Sequence, residues 1–190
     1  TRRGRETAFR RYGNVVSVMS GDYILARVLR VLAQSRSSDF TMLVSETAAR
    51  VCEGEVLQHE MAALQSYSLA TYDRIIEGKT AELISASLEG VAVLAGASPA
   101  LRSALRSFGI SYGRAFQMQD DFLDLMGDEG RLGKPIGGDL REGKLTFPVL
   151  LLLERGSAEA RAIVERRAAG EGDVERMRQL VIDAGMDELV

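Results

Sequence analysis

"FQMQDDFLDLMGDEG", residues 116–130, is the stretch on which the reading of this chain turns. It sets Asp120, Asp121 and Asp124 within five residues of a helical, rather apolar region. Aspartate is a poor helix-interior residue and neighbouring carboxylates repel one another, so the cluster needs a reason. Asp120 and Asp124 stand four apart and share one helix face, with Asp121 about 100° round. Gln117 precedes Asp120 by three residues, and no Lys or Arg falls within four residues of Asp120 or Asp121. Phe116, Phe122 and Leu123 beside the carboxylates argue for burial, where an isolated charge is costly. A divalent cation removes that cost, and hard Mg2+ favours a few carboxylate oxygens, water and substrate phosphates. The cluster therefore reads as a Mg2+–diphosphate site. D-D-x-x-D alone reads equally well as a solvated acidic face.

Basic groups that could answer the carboxylates follow directly. Residues 127–144 are rich in glycine and read as a loop carrying Lys134, Asp139, Arg141 and Lys144. Glycines let backbone approach a ligand, and lysines act as point charges for phosphate. Arg2, Arg3, Arg5, Arg10 and Arg11 crowd the start, where arginine forks suit phosphate but also suit a plain solvated turn. "EGKTAE", residues 77–82, resembles a nucleotide loop only superficially. That pattern needs Gly five residues before Gly78, and the position is Asp73. Lys79 and Thr80 remain candidates for pointing into a bundle and meeting an anion, against a surface lysine that snorkels. His59 is the only histidine, which argues against a histidine metal site or a Ser-His-Asp triad. Cys52, the only cysteine, forbids an intramolecular disulfide and points to a reducing, cytoplasmic setting.

The bulk numbers set the frame. With 190 residues, 46% hydrophobic, the chain can bury one sizeable core. A net charge of −3 does not suggest a nucleic-acid partner. No apolar run is long enough for a membrane span. The start lacks the apolar stretch of a signal peptide and has no Met, and the end has no clear stop. The expectation is one domain over 1–190, incomplete at both ends.

Periodicity is helical almost throughout. The pattern predicts helices over 8–33, 39–63 (with Ser38 or Asp39 as cap), 68–94 (ended by Gly96) and 98–126. Ser98-Pro99 is a strong start signal. A helix opens near Pro148, and two shorter ones follow near 157–168 and 173–184, separated by "AAGEGD". Four long helices joined by short turns predict an all-α fold, a large antiparallel helix bundle.

"TRRGRET", "GNVVSVMSGDYILARV", "CEGEVLQ", "GKTAELI", "LRSFGISYGRAFQMQDDFLDLMGD" and "LGKPIGGDLREGKLTFPVL" occur in one order along nearly the whole chain. Together they resemble the trans-type isoprenyl diphosphate synthases, the polyprenyl synthetase family. The resemblance implies an isoprenoid synthase bundle around a central cavity. It implies Mg2+-dependent prenyl transfer from an allylic diphosphate to isopentenyl diphosphate, a homodimer and a medium- or long-chain product, with geranylgeranyl and farnesyl products open. By resemblance, Asp120, Asp121 and Asp124 form the second aspartate-rich motif, with Asp120 the direct metal ligand. Lys79, Lys134 and Arg2 match positions that bind the allylic diphosphate, and Arg3 one that binds isopentenyl diphosphate. Gln117 and Thr80 match positions whose oxygens face the allylic cation, Phe116 an aromatic near the isopentenyl group, and Lys144 and Asp139 the loop that closes over the site.

The family's first aspartate-rich motif precedes "RRG" and is absent here. These 190 residues are therefore expected to be inactive alone. Three other readings stand beside the synthase. A class I terpene cyclase would not need Arg3 or the 133–144 loop. A non-catalytic partner subunit would tend to lose its aspartates. A plain helical scaffold would leave the cluster unexplained.

Overall fold

The computed structural model describes residues 5–64, 68–128, 130 and 135–185. Every element among them is helical, as the periodicity requires. Helix α1, Ala8–Ser35, starts where Thr7 Oγ1 accepts from the Arg10 amide, and it breaks at Gly13, whose φ of 80° only glycine adopts easily. Helix α2, Ser38–Leu64, follows after a single left-handed turn at Arg36. Its cap is neither Ser38 nor Asp39: Ser37 Oγ accepts from the Phe40 amide at 3.2 Å, the usual reach from a cap to the third residue on.

The segment expected as one helix over 68–94 is three pieces. Helix α3, Leu69–Ile76, is capped by Ser68. A π-turn covers Glu77–Ala81, with the Glu82 amide donating to the Glu77 carbonyl. Helix α4, Glu82–Leu94, then completes the run. It ends in a Schellman turn at Gly96, φ 65°, with Gly96 N on Val93 O and Ala97 N on Ala92 O. Helix α5, Pro99–Met126, opens as Ser98-Pro99 predicts, with Ser98 Oγ accepting from Leu101 N. The glycine-rich stretch is not all loop. It contains the one-turn helix α6, Gly138–Arg141, followed by α7, Phe147–Glu154, α8, Ala158–Glu165, and α9, Asp173–Asp183.

The apolar core gathers α7, α8 and α9 against α3 and the end of α5. Ile163, Met177, Val149 and Val181 are fully enclosed there, and Tyr72, Ile76 and Leu125 join them from the earlier helices. Helix α1 is the opposite case: only Leu32 is buried, while Val15 (74%), Tyr23 (65%) and Ile24 (63%) stand exposed.

Glycines let the central helices touch backbone to backbone. A Cβ on Gly109 would sit 2.4 Å from Ser85 Cα, and one on Gly113 2.5 Å from Ala81 Cα, so α5 lies directly on the π-turn and α4. Opposite, a Cβ on Gly54 of α2 would meet Lys79 N at 2.7 Å. Charge closes the same seam. Glu82, only 4% exposed, receives both Arg50 and Arg106, and Arg106 also reaches Glu89 at 3.3 Å.

Because the clash is with backbone, Gly109→Ala and Gly113→Ala can be relieved only by moving helices. Each is expected to cost about 1–3 kcal/mol of stability, as overpacked cores do. Thermal or urea unfolding of the complete gene product checks this, and an unchanged midpoint for both would contradict the packing.

Candidate active site

Helix phase assembles the site. Tyr72 and Thr80 are eight residues apart, which along a plain α-helix leaves them about 80° out of line. One α-turn and one π-turn together take about eight residues, so the π-turn Glu77–Ala81 puts both on one line. On the facing helix, Gln117 and Asp121 are four apart and share a face. The two lines meet through hydrogen bonds. Thr80 Oγ1 donates to Gln117 Oε1 at 2.7 Å, and Gln117 Nε2 donates to Asp121 Oδ1 at 2.8 Å. Tyr72 Oη donates to Asp121 Oδ2 at 2.7 Å. Each carboxylate oxygen of Asp121 is thus gripped from behind by one donor.

Tyr72, Gln117 and Asp121 bound a cavity of about 180 Å3, with Lys79, Asp120, Asp139 and Lys144 also on its wall. Burial pushes the Asp121 carboxyl up to about 6; Asp139 and Asp120 add to the rise, while the bonds from Tyr72 and Gln117 oppose it. Burial raises the Tyr72 hydroxyl far above its usual range, with Asp121 reinforcing the shift, so it remains a donor. A larger open groove of about 730 Å3 lies along Arg50, Asp73, Glu77 and Arg114. It shares no residue with this cavity, and Arg50 and Arg114 are engaged by the groove's own carboxylates.

The two lysines are held by carboxylates. Lys79 Nζ donates to Gln58 Oε1 at 2.8 Å and pairs with Glu55 at 3.0 Å, both on α2. Lys144 Nζ sits 2.6 Å from Glu142 and 3.6 Å from Asp139. Partial burial lowers the Lys144 pKa, but Glu142 and Asp139 outweigh it, and the net shift is upward.

The three aspartates divide in a way that their spacing did not foretell. Asp120 and Asp124 share a face on paper, yet it is Asp121 (7% exposed) and Asp124 (5%) that are buried, while Asp120 is exposed on the cavity wall. Asp124 Oδ2 accepts from the Asp139 amide at 3.0 Å, and its backbone carbonyl accepts from Gly137 at 2.7 Å, so Asp124 ties the end of α5 to the start of α6. Among the described residues no three acidic, His or Cys side chains converge into a cation cage. The donor set still fits Mg2+, which takes one or two carboxylates and completes its shell with water and phosphate oxygens.

The apolar neighbours behave contrary to expectation. Phe116 is 52% exposed and Leu123 37%, with Phe122 intermediate, so two of the three hydrophobic residues that suggested burial lie outside while Asp121 and Asp124 lie inside. Phe116 stacks on Tyr112, which stacks on Phe108, forming an outward ladder along α5 away from the cavity lining. Arg2, Arg3 and Lys134 lie outside the described residues. Lys79, Thr80, Gln117, Asp120, Asp121, Asp139 and Lys144 are brought together. Tyr72 and Gln58 were missed by sequence reasoning. Tyr72 stands seven residues before Lys79, two helical turns, and that spacing was the available signal.

A sequence model described as Polyprenyl synthetase matches residues 1–182. The octaprenyl diphosphate synthase of Haemophilus influenzae is 37% identical over 171 residues, covering 90% of this chain and 52% of that protein. Heptaprenyl diphosphate synthase component 2 of Bacillus subtilis is 37% identical over 153 residues, covering 80% of this chain and 44% of its own length. Among solved structures, a polyprenyl synthase from Caulobacter crescentus complexed with calcium and isoprenyl diphosphate is 38% identical. It superposes with a TM-score of 0.87 over 97% of this chain and 57% of that one. The chain spans about half the length of the curated relatives it matches. Its helices, its hydrogen-bonded Thr80–Gln117–Asp121–Tyr72 chain and these matches agree: the chain belongs to the polyprenyl synthetase family.

Proposed function

We propose that the complete gene product is a polyprenyl diphosphate synthase, condensing isopentenyl diphosphate with an allylic diphosphate to give a medium- or long-chain product. The observation that carries this reading is one cavity lined by Tyr72, Gln117, Asp120, Asp121, Lys79 and Lys144, with Thr80 hydrogen-bonded to Gln117 behind its wall. In the reaction the allylic C–O bond breaks, and diphosphate leaves with the electron pair. The double bond of isopentenyl diphosphate then attacks the allylic carbon, and a proton is lost to form the new double bond. Asp120 would hold Mg2+, which would supply positive charge to the departing diphosphate oxygens.

The chain's own residues do the rest. Lys79 and Lys144, with Lys134, Arg2 and Arg3, give fixed cations for the two diphosphates. Thr80 and Gln117 present oxygen atoms and no acid toward the allylic carbon, which suits a transient cation. Asp121 is held in place by Tyr72 and Gln117 and stands behind Asp120, and Asp124 anchors the 137–144 segment that carries Asp139 and Lys144. Phe116 contacts the isopentenyl group only if another segment covers the α5 ladder.

The relatives' names, octaprenyl and heptaprenyl, favour a medium or long product over geranylgeranyl or farnesyl. Residues 1–190 are read as one isoprenoid synthase domain. A homodimer fits the exposed apolar face of α1, with Val15, Val16, Met19, Tyr23 and Ile24 in the open. A heteromeric enzyme is the second reading, since one relative is named as a component of a synthase. No helix among the described residues is long and apolar enough to cross a membrane. The cytoplasm is the proposed compartment, because a reducing milieu suits the exposed thiol of Cys52.

Incubating the complete gene product with Mg2+, labelled isopentenyl diphosphate and a series of allylic primers should give a ladder that stops at one length beyond geranylgeranyl. Release of diphosphate without elongation would favour a cyclase. Silence that is cured only by a second subunit would favour the heteromer. Asp120→Ala should keep the melting curve and lower turnover by about 10²–10³-fold, the scale of losing one preorganised charge partner at a developing negative charge. Near-normal turnover would sink the metal assignment.

A further inference from the structure

We propose that Gly54 of α2 is a positioning residue: its bare Cα seats the π-turn Glu77–Ala81 and thereby aims Lys79 into the cavity and Thr80 onto Gln117. The inference rests on the functional reading above for what those two side chains meet. The geometry is backbone against backbone. A Cβ on Gly54 would lie 2.7 Å from Lys79 N and 3.1 Å from the Gly78 carbonyl carbon. A Cβ on Gly78 would in turn lie 3.1 Å from the Arg50 carbonyl oxygen. Gly54 lies inside α2 and is buried, so its need for glycine is steric.

A π-turn is one residue too wide for the helix that contains it, and the excess must go somewhere. Here the turn carries glycine at Gly78, and α2 presents glycine to it at Gly54, so the bulge fits between the helices. Gln58, one turn beyond Gly54 on α2, then holds the Lys79 Nζ at 2.8 Å. Helix α2 therefore fixes Lys79 at both its amide and its ammonium. The next residue, Thr80, is delivered to Gln117. An alanine at position 54 would push the turn away, and the first groups to move are the Lys79 backbone and the Thr80 hydroxyl.

Gly90 of α4, which also packs on α2, offers a comparison. A Cβ there would meet Phe40 Cε2 at 2.8 Å, a side-chain ring of α2 remote from the cavity lining. Gly54→Ala and Gly90→Ala are made in the complete gene product. They are compared by melting, amide hydrogen exchange over residues 77–81 and steady-state kinetics, at a temperature where both are folded.

The expected result for Gly54→Ala is faster exchange over 77–81 and a kcat lower by about 10- to 100-fold, the cost of misplacing reacting groups by about an ångström. KM for isopentenyl diphosphate should stay within about threefold of wild type, and Gly90→Ala should stay within about threefold in both parameters. Equal losses in the two variants at matched stability, or a Gly54→Ala enzyme with unreduced kcat, overturn the proposal. Should Gly54→Ala not fold, Gly78→Ala, with its milder 3.1 Å contact, takes its place under the same criteria. If the wild type transfers no prenyl group, the functional reading falls. Unchanged exchange over 77–81 in Gly54→Ala would then overturn the seating of the turn independently.

Discussion

The buried carboxylate of Asp121 is the interaction on which the rest of the site depends. A charge withdrawn from water costs several kcal/mol unless it is answered. Tyr72 and Gln117 answer it with one hydrogen bond to each oxygen, yet the carboxyl stays near 6 because burial and its acidic neighbours outweigh them. The deficit is one of positive charge, not of hydrogen bonds. Helix α3, the π-turn and α5 each send a polar side chain to this one point. Asp120 stands exposed at the wall, beside the buried Asp121.

Such a point can be built only if the three elements approach closely, and side chains would hold them apart. The solution is a seam of small residues. Gly109 and Gly113 bring α5 onto Ser85 and Ala81, and Gly54 brings α2 onto Gly78 and Lys79. Arg50, Arg106 and Glu82 tie the same seam on the side away from the cavity. Gly113 lies one turn before Gln117, and Ala81 directly follows Thr80. The glycine contact therefore sets the distance at which the Thr80–Gln117 hydrogen bond can form.

Much of this was legible in the residues. Helical periodicity, the Ser98-Pro99 start and the Gly96 stop describe the bundle well, because each rests on local backbone physics. The pairing of Lys79 and Thr80 with Gln117 and the aspartates followed only from the resemblance. The π-turn within 77–81 was not legible: five residues of ordinary helical composition carry no local mark of an extra one, and its cause, Gly54, lies more than twenty residues earlier in sequence. The burial of Asp121 and Asp124 was inferred for the wrong reason, and Asp120 is exposed. Phe116 and Leu123 belong to a face of α5 that the described residues leave open, so apolar neighbours told of a second surface and not of the acids. Ser37 was missed as the cap of α2 because three polar residues in a row offer equal local signals. Only the hydrogen bond to Phe40 decides among them.

The state of the two lysines follows from the same electrostatics. Without a diphosphate, Lys79 rests on Glu55 and Gln58, and Lys144 on Glu142 and Asp139. Glu55 and Glu142 are 55% and 65% exposed, so each of these pairs is a solvated ion pair of the kind worth about 0–1 kcal/mol. Lysines parked on weak, wet partners surrender those partners cheaply. On the proposed function, a diphosphate entering the cavity would offer several negative oxygens in a drier place, where charge-assisted bonds are stronger. Of the carboxylates that hold the lysines, Glu55 and Glu142 are exposed, so water can solvate them when a lysine leaves, whereas Asp139 is half-buried on the cavity wall beside Asp121.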